Sequence, residues 1–576
     1  MEDTAVTAKV PAKQRGTDID DISNNEVDYD ILLCSAGKFG RYQWFLFFSM
    51  CPFSIYLTFS YFSQMFMTEP APNHWCWIPE LANLTELERR NLAIPKDENA
   101  RFGYSKCKAY IANWSAVVIS GVTPNKSWPI EKCQHGWEFN KTEIPYPTIS
   151  SEWGWVCDKD SYQANAQSIF FVGSIVGGFL IGWVADRFGR IPAVVSANMI
   201  GFIAGVISVF ARNFIEFSIC RFFMGMSYDN CMMMMYLLVL EYVAPKYRTI
   251  IANMPLAIFF TLALTILPWI ALACGHWKAI SLATSIPMAL SLLTPLLIPE
   301  SPRWLLSKGR IEEAVYKVIN IGRINKKEVP SKLVEQFKLS VSREKKVKNV
   351  SSTELLKRPL LRKIFICMCL VYMCCVIVYD ALVRSIGSLG FDFFLSFSIL
   401  SLTEFPSLVI VSFVLDLIGR KWLSIVAFII TSIFSVTTAF VGGGLPSVLC
   451  AVVARFSINM ACTAAIQWGA EMLPTSVRGS GASIIHICGY VATVISPYIV
   501  YLENFITWLP LVIVGAIAAL GAVLSLALPE TAGRDMPQTF EDGDQLIKSQ
   551  RLFDVPFLQR KKVVGADYIK SSFQSN

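Results

Sequence analysis

The sequence predicts an all-α, polytopic membrane protein with twelve transmembrane helices arranged as two six-helix bundles. Three observations support this prediction. First, 53% of the 576 residues are hydrophobic and only 16% are charged, and a soluble chain of this length would rarely tolerate the mean hydropathy of +0.46. Second, twelve apolar runs have the length of a membrane span. Third, a charged turn motif occurs twice, 230 residues apart.

The first half of the chain contains six of the predicted spans. Residues 1–40 are polar and rich in Asp, without the basic region and cleavage site of a signal peptide, and we expect them to form a cytoplasmic tail. The N-terminal bundle is predicted over residues 41–299, with a first span from Tyr42 to Met67 and a long polar loop at 68–161. The five further apolar runs lie at about residues 163–185, 191–211, 214–239, 250–273 and 277–298.

A basic segment at residues 300–361 separates the two bundles. Residues 301–363 contain 17 Lys and Arg against 6 Asp and Glu, which places the segment in the cytoplasm by the excess of positive charge found in such loops. The C-terminal bundle is predicted over residues 362–529, followed by a polar cytoplasmic tail at 530–576. Its apolar runs lie at about residues 362–382, 393–415, 421–441, 446–469, 480–502 and 507–528.

The loop after the first span has the features of an extracytoplasmic segment. It contains four cysteines, Cys76, Cys107, Cys133 and Cys157. It also contains four glycosylation sequons, which begin at Asn83, Asn113, Asn125 and Asn140. Together they indicate an oxidising compartment and predict a glycosylated loop with two disulfides, for which three pairings are possible.

The charged turn shows that the chain is built from two related halves. Repeat-related arginines also lie within spans, Arg221 in the first half and Arg455 in the second, with a slip of four residues. The other matching positions are Asp186/Gly189/Arg190 with Asp416/Gly419/Arg420, Glu241/Arg248 with Glu471/Arg478, and Pro299-Glu-Ser with Pro529-Glu-Thr. Two like halves related by an axis along the membrane normal are typical of a rocker-type secondary transporter.

Eight repeated charges are candidates for gating at the cytoplasmic rim. They are Asp186, Arg190, Glu241, Arg248, Asp416, Arg420, Glu471 and Arg478. One interpretation is a latch that holds the inner gate shut in one state and breaks in the other, and the alternative is permanent structural pairing. We favour the latch because its parts recur in both halves.

Ionisable residues inside spans are costly and therefore indicate a substrate or ion site. Asp229 and Glu404 are acids within predicted spans, and either could attract an amine or carry a proton, although Asp229 could instead pair internally with an arginine. Tyr372, Tyr379 and Tyr490 could offer aromatic faces to a cationic head group, with simple packing as the alternative. These five residues form the predicted substrate site.

Other functions find no support in the sequence. The four histidines are scattered without the spacing of a metal site, and no phosphate-binding Gly-rich motif is present. We therefore expect no enzyme activity, no cofactor, no metal and no nucleic-acid partner, and transport driven by solute or ion gradients. Membrane lipid and a co-transported ion remain as expected partners beside the substrate.

Several motifs together resemble the major facilitator superfamily and, within it, solute carrier family 22, over about residues 37–531. Besides the paired Asp-x-x-Gly-Arg turns, they are Gly37-Lys-Phe-Gly-Arg-Tyr-Gln, Glu152-Trp-Gly-Trp-Val-Cys-Asp, Pro299-Glu-Ser-Pro-Arg-Trp-Leu, Glu404-Phe-Pro, Glu471-Met-Leu-Pro-Thr-Ser-Val-Arg and Pro529-Glu-Thr. This resemblance implies alternating access to a central cavity. The chain also looks like the invertebrate branch, which includes carriers of β-alanine and carcinine.

The chain departs from the family pattern at three positions. Cation-preferring members are similar at Glu404 and Tyr379, but many have a Lys where this chain has Asp229. Tyr490 stands where cation carriers commonly have an Asp and anion or carnitine carriers an Arg. In the second turn motif Ser412 replaces the leading Gly.

We therefore predict a plasma-membrane carrier for small organic cations or zwitterions, with both termini in the cytoplasm. Two alternatives stay open. One is an organic anion transporter of the same fold, and the other is a receptor or adhesion protein that uses the glycosylated loop and does not transport.

Overall fold

The structure is a computed structural model that describes residues 28–69, 73–97, 103–121, 125, 127–343, 355, 357–474, 477–534 and 536–548. Most of the predicted N-terminal and C-terminal tails therefore lie outside the described residues. Within the described ranges, eleven helical segments are long and apolar enough to cross a membrane. This confirms the predicted class of an all-α polytopic membrane protein.

The N-half consists of α2 and α6 to α13. The predicted fourth span is divided into two successive helices, and neither is long enough alone to count as a span. The N-half helices are α2 (Arg41–Thr68), α6 (Ser161–Arg187), α7 (Arg190–Ser208), α8 (Phe214–Ser227), α9 (Asn230–Glu241), α10 (Pro245–Pro255), α11 (Thr261–Cys274), α12 (Trp277–Ser285) and α13 (Thr294–Leu297). A π-helical turn joins α10 to α11, and a 3-10 segment joins α12 to α13.

Shorter helices lie outside the spans of the N-half. They are α1 (Tyr29–Ser35) before the first span, α3 (Glu86–Ala93), α4 (Trp114–Ser120) and α5 (Ile149–Trp153) in the long loop, and α14 (Pro302–Ser307), α15 (Ile311–Ile324) and α16 (Ser331–Arg343) between the halves. Asn325, just after α15, accepts from the backbone N–H of Tyr42 and donates to the carbonyl of Ala36. The segment between the halves is thereby fixed to the start of the first span.

The C-half consists of α17 to α24 and repeats the order of spans. Its helices are α17 (Pro359–Arg384), α18 (Phe393–Leu402), α19 (Glu404–Ile418), α20 (Arg420–Phe440), α21 (Leu445–Met472), α22 (Arg478–Thr493), α23 (Ser496–Tyr501) and α24 (Leu509–Leu526). A last helix, α25 (Phe540–Lys548), follows the bundle and is fixed to its first span by an ion pair between Glu541 and Arg358.

The long loop contains strands, which the sequence analysis did not predict. Strand β1 (His74–Cys76) pairs antiparallel with β4 (Trp137–Phe139), and β2 (Lys108–Tyr110) pairs antiparallel with β3 (Ile130–Lys132). Disulfides join Cys76 to Cys133 and Cys107 to Cys157. This selects one of the three possible pairings, and it links the small sheets to each other and to the start of α6. We call this end of the molecule the loop side and the opposite end, with the two charged turns, the turn side.

Glycines allow α6 and α8 to pack in direct backbone contact. A Cβ atom on Gly173 would collide with the carbonyl oxygen of Phe222, and one on Gly225 with that of Phe170. Small residues of this kind are typical of helix contacts in membranes, where close backbone approach and dispersion replace a hydrophobic driving force.

The buried apolar residues show how the halves meet. On the loop side, one cluster includes Phe62 and Phe66 of the N-half and Phe394 and Phe397 of the C-half. Away from the loop side the two largest clusters of buried residues are separate, and one lies in each half. Large apolar side chains on the outer surface, among them Leu296 and Phe413, are exposed, as expected for side chains that face lipid. The structure thus has the two halves closed against each other on the loop side.

Candidate functional site

The two charged turns form matching clusters, one in each half. In the N-cluster (Asp186, Arg190, Glu241 and Glu300), the guanidinium of Arg190 lies 3.0 Å from Asp186 and 3.4 Å from Glu241. In the C-cluster (Asp416, Arg420, Glu471 and Glu530), Arg420 lies 2.9 Å from both Asp416 and Glu471. Six of the eight predicted gating residues therefore come together as two triads, each within its own half.

Each cluster also contains an acid that the predicted gating set lacked. Glu300 accepts from the backbone N–H groups of Arg190 and Ile191 at 2.8 and 3.1 Å, and Glu530 accepts from those of Arg420 and Lys421 at 2.9 and 3.1 Å. A carboxylate is favourable there because the first N–H groups of a helix are unpaired and carry a partial positive charge. The repeated Pro-Glu motif was the signal in the sequence that could have identified both residues.

The turn geometry explains the glycine of the motif. Gly189 and Gly419 have φ angles of 120° and 97°, a region that residues with a Cβ rarely adopt. These backbone angles place the arginine at the first position of the next helix. The first backbone N–H groups of that helix then point toward Glu300 or Glu530.

The other two predicted gating residues contact the tails. Arg248 donates to Asp30 in α1 at 2.7 Å and to the carbonyl of Val243. Arg478 donates to the carbonyls of Leu473 and Pro537 at 3.2 and 3.4 Å. Asp30 also pairs with Arg303. Burial alone would raise the pKa of Asp30, but the hydrogen bonds and charges of the two arginines outweigh it and hold that pKa below its ordinary value.

Glu404 lies in a network of charged and polar side chains inside the C-half. It is 2% exposed, it begins α19, and it forms an ion pair of 2.7 Å with Arg455. Tyr379 donates to the same carboxylate at 2.9 Å, and Asn459 donates to its other oxygen. The guanidinium of Arg455 also lies over the Tyr379 ring, 4.0 Å from its centroid. The charge of Glu404 is therefore balanced within the protein, by an arginine that lies 51 residues away in the sequence.

Asp229 has a different environment. It lies at the break between α8 and α9, where the backbone of Tyr228 departs from helical angles. Its carboxylate accepts a hydrogen bond from the hydroxyl of Tyr490 in the C-half. Among the described residues no cationic side chain forms an ion pair with Asp229. Of the two predicted substrate acids, Asp229 is therefore the one whose charge has no partner of opposite sign.

Aromatic and polar side chains surround Asp229. Tyr228 and Tyr372 lie within electrostatic range of its carboxylate, as does His486. Tyr372 and His486 are in contact, with 3.3 Å between the hydroxyl and Nδ1. Both His486 and Tyr490 lie on α22, one turn apart. The structure thus brings Tyr372 and Tyr490 together around Asp229, whereas Tyr379 belongs with Glu404. His486 was missed as a site residue because it was judged only for metal spacing.

Hydrogen bonds between the halves lie on the loop side and at this central position. On the loop side, Ser168 donates to the carbonyl of Val494 at 2.8 Å, and Tyr498 donates to Asn165 at 2.9 Å. At the centre, the bond between Tyr490 and Asp229 joins α22 to the N-half. The central residues therefore lie at the inner limit of the closed region.

A half-buried acid, Glu69, lies on the loop side where the two halves meet, a boundary that we call the loop-side seam. Glu69, the first residue after α2, accepts from the amide of Gln163 at 3.0 Å, and its other oxygen would lie 3.0 Å from a Cβ on Gly387 of the C-half. Burial raises the pKa of Glu69 to about 7. The hydrogen bond from Gln163 and the charge of Arg384 act in the opposite direction, while the charge of Glu503 acts in the same direction as burial.

Comparisons with known proteins agree with this architecture. Residues 110–541 match the family model described as sugar (and other) transporter. The chain is similar to the carcinine transporter of Drosophila melanogaster, with 30% identity over 92% of this chain and 80% of that protein. It is likewise similar to solute carrier family 22 member 3 of Rattus norvegicus, with 30% identity over 91% and 96% of the two chains.

Two further similarities extend the comparison. The organic cation/carnitine transporter 2 of Homo sapiens is 28% identical over 90% of this chain and 94% of its own length. Among solved structures, the inward-open xylose transporter XylE from E. coli has a TM-score of 0.53 and 18% identity, covering 67% of this chain and 90% of that one. The structural similarity supports the two-bundle fold only.

Proposed function

Because this chain belongs to the sugar (and other) transporter family of the major facilitator superfamily, and within it to solute carrier family 22, we propose that it carries small organic cations or zwitterions by alternating access. Members of this family are membrane transporters and not enzymes. The observation that carries the choice of cargo is the carboxylate of Asp229 at the centre of the molecule, which accepts a hydrogen bond from Tyr490, has tyrosines around it and forms no ion pair with any described residue.

An amine is the natural partner for this carboxylate. A charged group inside a membrane protein is stabilised by an opposite charge or by water, and no cationic side chain in the described part of the chain forms an ion pair with Asp229. The rings of Tyr228, Tyr372 and Tyr490 can pack against the carbon atoms next to an ammonium group, and their faces add cation–π attraction to its charge. Relatives named for carcinine and for organic cations and carnitine point to the same class of cargo. An organic anion fits poorly, since it would be repelled by Asp229.

Alternating access follows from the position of the Asp229–Tyr490 bond. The bond crosses from one half to the other, so rocking of the halves must change it. A cargo amine bound to Asp229 can therefore favour one state over the other, which a ligand does only through a difference in affinity between states. Glu404, Arg455 and Tyr379 then keep one wall of the cavity fixed.

The repeated turn clusters support the latch hypothesis for the inner gate. Asp186 and Asp416 are 81% and 72% exposed, so each contributes about 1 kcal/mol or less to folding. So small a contribution to folding does not explain why both halves have an Asp at this position. Replacing each by Asn should leave surface expression nearly unchanged and lower the rate of uptake. If surface expression falls in proportion to uptake, the clusters are structural and the latch hypothesis is wrong.

Localisation in the plasma membrane with cytoplasmic termini is part of the proposal. The loop that holds both disulfides then faces outward, with its four sequons available for glycosylation. Asn83, Asn113 and Asn125 are exposed, and Asn140 is half-buried. Removal of N-linked glycans from surface protein should increase its mobility on a gel, and a chain without glycan would contradict the orientation.

Uptake into expressing cells tests the function directly. Labelled carcinine, β-alanine and carnitine should be compared with an organic anion such as p-aminohippurate, in sodium and sodium-free buffers and at two pH values. We expect saturable uptake of at least one amine and none of the anion. The ion replacements identify any co-transported ion, and a surface-expressed chain that takes up no organic ion would favour the receptor alternative.

A further inference from the structure

A buried pocket of unpaired polar groups lies within the N-half, apart from Asp229. Arg221 in α8 is 2% exposed. Its Nη2 donates to the carbonyl of Ser60 at 3.4 Å, and its guanidinium lies over the ring of Phe170, 4.6 Å from the centroid. Among the described residues, its Nε has no hydrogen-bond partner, and no acid forms an ion pair with it. A buried guanidinium in this situation needs a counter-charge.

Two glutamines lie one helical turn from these contacts. Gln64 follows Ser60 by four residues on α2, and Gln167 precedes Phe170 by three on α6, so each shares the helix face that meets Arg221. Both are 1% exposed, and neither the oxygen nor the nitrogen of either amide has a partner in the described part of the chain. Helical side chains lean toward the N-terminus, which for α8 is the loop side, so Arg221 leans toward the level of the two amides.

The repeat shows which group is missing from this pocket. In the C-half, Arg455 is the counterpart of Arg221, and Glu404 balances its charge. The residue 230 positions before Glu404, the spacing of the repeat, is Ser174. Ser174 is 1% exposed, and its hydroxyl has no partner among the described residues. The N-half thus keeps the arginine of the pair and has a short neutral donor in place of the acid.

We propose that Arg221, Gln64, Gln167 and Ser174 form a binding site for one monovalent anion, either chloride or the carboxylate of a zwitterionic cargo. Buried polar groups in proteins are nearly always paired, so a buried guanidinium without a counter-charge, together with three buried side chains with unpaired atoms on the two helices that contact it, indicates a ligand. The guanidinium supplies one positive charge, and the two amides and the hydroxyl supply donors without fixed charge. A cation is therefore excluded, and one negative charge balances the pocket.

Thermal unfolding of the purified full chain tests chloride binding without cargo. In sodium chloride, the midpoint should be a few degrees higher than in sodium methanesulfonate of equal ionic strength, and the increase should saturate with chloride concentration. Gln64→Leu and Gln167→Leu should each weaken the apparent chloride affinity about 10-fold, the loss expected for one hydrogen bond to a charged group. Arg221→Met should abolish the chloride effect.

Gln43→Leu is the matched control on the same helix. Gln43 is also fully buried, but its amide is paired with the N–H of Gly40 and the carbonyl of Tyr242. This variant should lower the midpoint in both salts and keep the chloride increment. If Arg221→Met does not fold, the two glutamine variants still decide the outcome, because they leave all charges in place.

The carboxylate source is tested in methanesulfonate buffer, which contains no carboxylate, with β-alanine and its amide, which have the same amine and differ in the carboxylate. A stabilisation by β-alanine alone that disappears in the Gln64→Leu variant assigns the pocket to cargo. This arm rests on the proposed function, whereas the chloride arm does not, so absence of organic-ion uptake would leave the chloride result valid. Absence of stabilisation by either anion, or increments equal in wild type and all variants, would overturn the proposal.

Discussion

The loop-side seam should make uptake sensitive to external pH through Glu69. In the closed seam, burial raises the pKa of Glu69 from 4.5 to about 7. Keeping this carboxylate charged there costs about 3 kcal/mol more than in water, at 1.36 kcal/mol for each pH unit. We expect the pKa to return to its ordinary value when the loop side opens and the carboxylate is hydrated. Closure then takes up a proton between about pH 4.5 and pH 7.

The direction of the pH effect follows from the difference in proton affinity between the closed and open states. The closed state binds the proton more tightly, so it gains stability as the pH falls through this window. Between pH 8 and pH 5.5 the ratio of closed to open carriers should rise about 30-fold. The groups that face Glu69 are Gln163 and Tyr146 from the N-half and Arg384 and Glu503 from the C-half.

Initial rates of amine uptake, measured at fixed internal pH and normalised to surface protein, provide the assay. Acidification of the external buffer should slow wild-type uptake. Glu69→Gln, which is neutral at every pH, should be slow throughout and independent of pH in this range. Glu131→Gln, which removes an acid elsewhere in the loop, is the control and should behave like wild type. If Glu69→Gln keeps the wild-type pH profile, the reasoning is wrong.

Three further predictions concern the central site and the loop. Asp229→Asn keeps the shape of the side chain and removes its charge, and it should reduce amine uptake at least about 10-fold at equal surface level; unchanged uptake would remove Asp229 from the site. Glu404→Gln should strongly reduce cation uptake and also surface level, because it leaves Arg455 buried without a counter-charge at about 3–5 kcal/mol, and the double variant with Arg455→Gln should regain surface level by biotinylation. Cys107→Ser should destabilise the loop by about 2–5 kcal/mol, seen as faster limited proteolysis of the purified chain, and a loop as resistant as wild type would contradict this.

The spans could be predicted because hydropathy is local. A run of about twenty apolar residues must cross the bilayer as a helix whatever it packs against. The exception was the span over residues 214–239, which forms α8 and α9. Its break at Tyr228 lies in the short polar stretch Ser227-Tyr-Asp-Asn, but the longer apolar runs on both sides outweigh this stretch in the hydropathy pattern.

The repeat also predicted part of the turn clusters. Matching Asp, Arg and Glu positions indicated two equivalent networks, and the structure shows two. The partners of Arg248 and Arg478 were not predicted, because Asp30 and Pro537 lie in the tails outside the repeated region. Periodicity identifies which residues are equivalent, but it does not identify the neighbours that the fold brings to them.

The sequence alone determined that this chain is a duplicated twelve-span carrier with a disulfide-bonded loop, since hydropathy, repeats and cysteine spacing are properties of the linear chain. The tertiary structure decided which charges are available. The sequence suggested an internal arginine partner for Asp229 and not for Glu404, yet it is Glu404 that Arg455 from another helix balances. Neither Asp229 nor Arg221 has a partner of opposite charge among the described residues. A charge is balanced through space over a few ångströms, and that distance is set by the packing of helices rather than by separation along the chain.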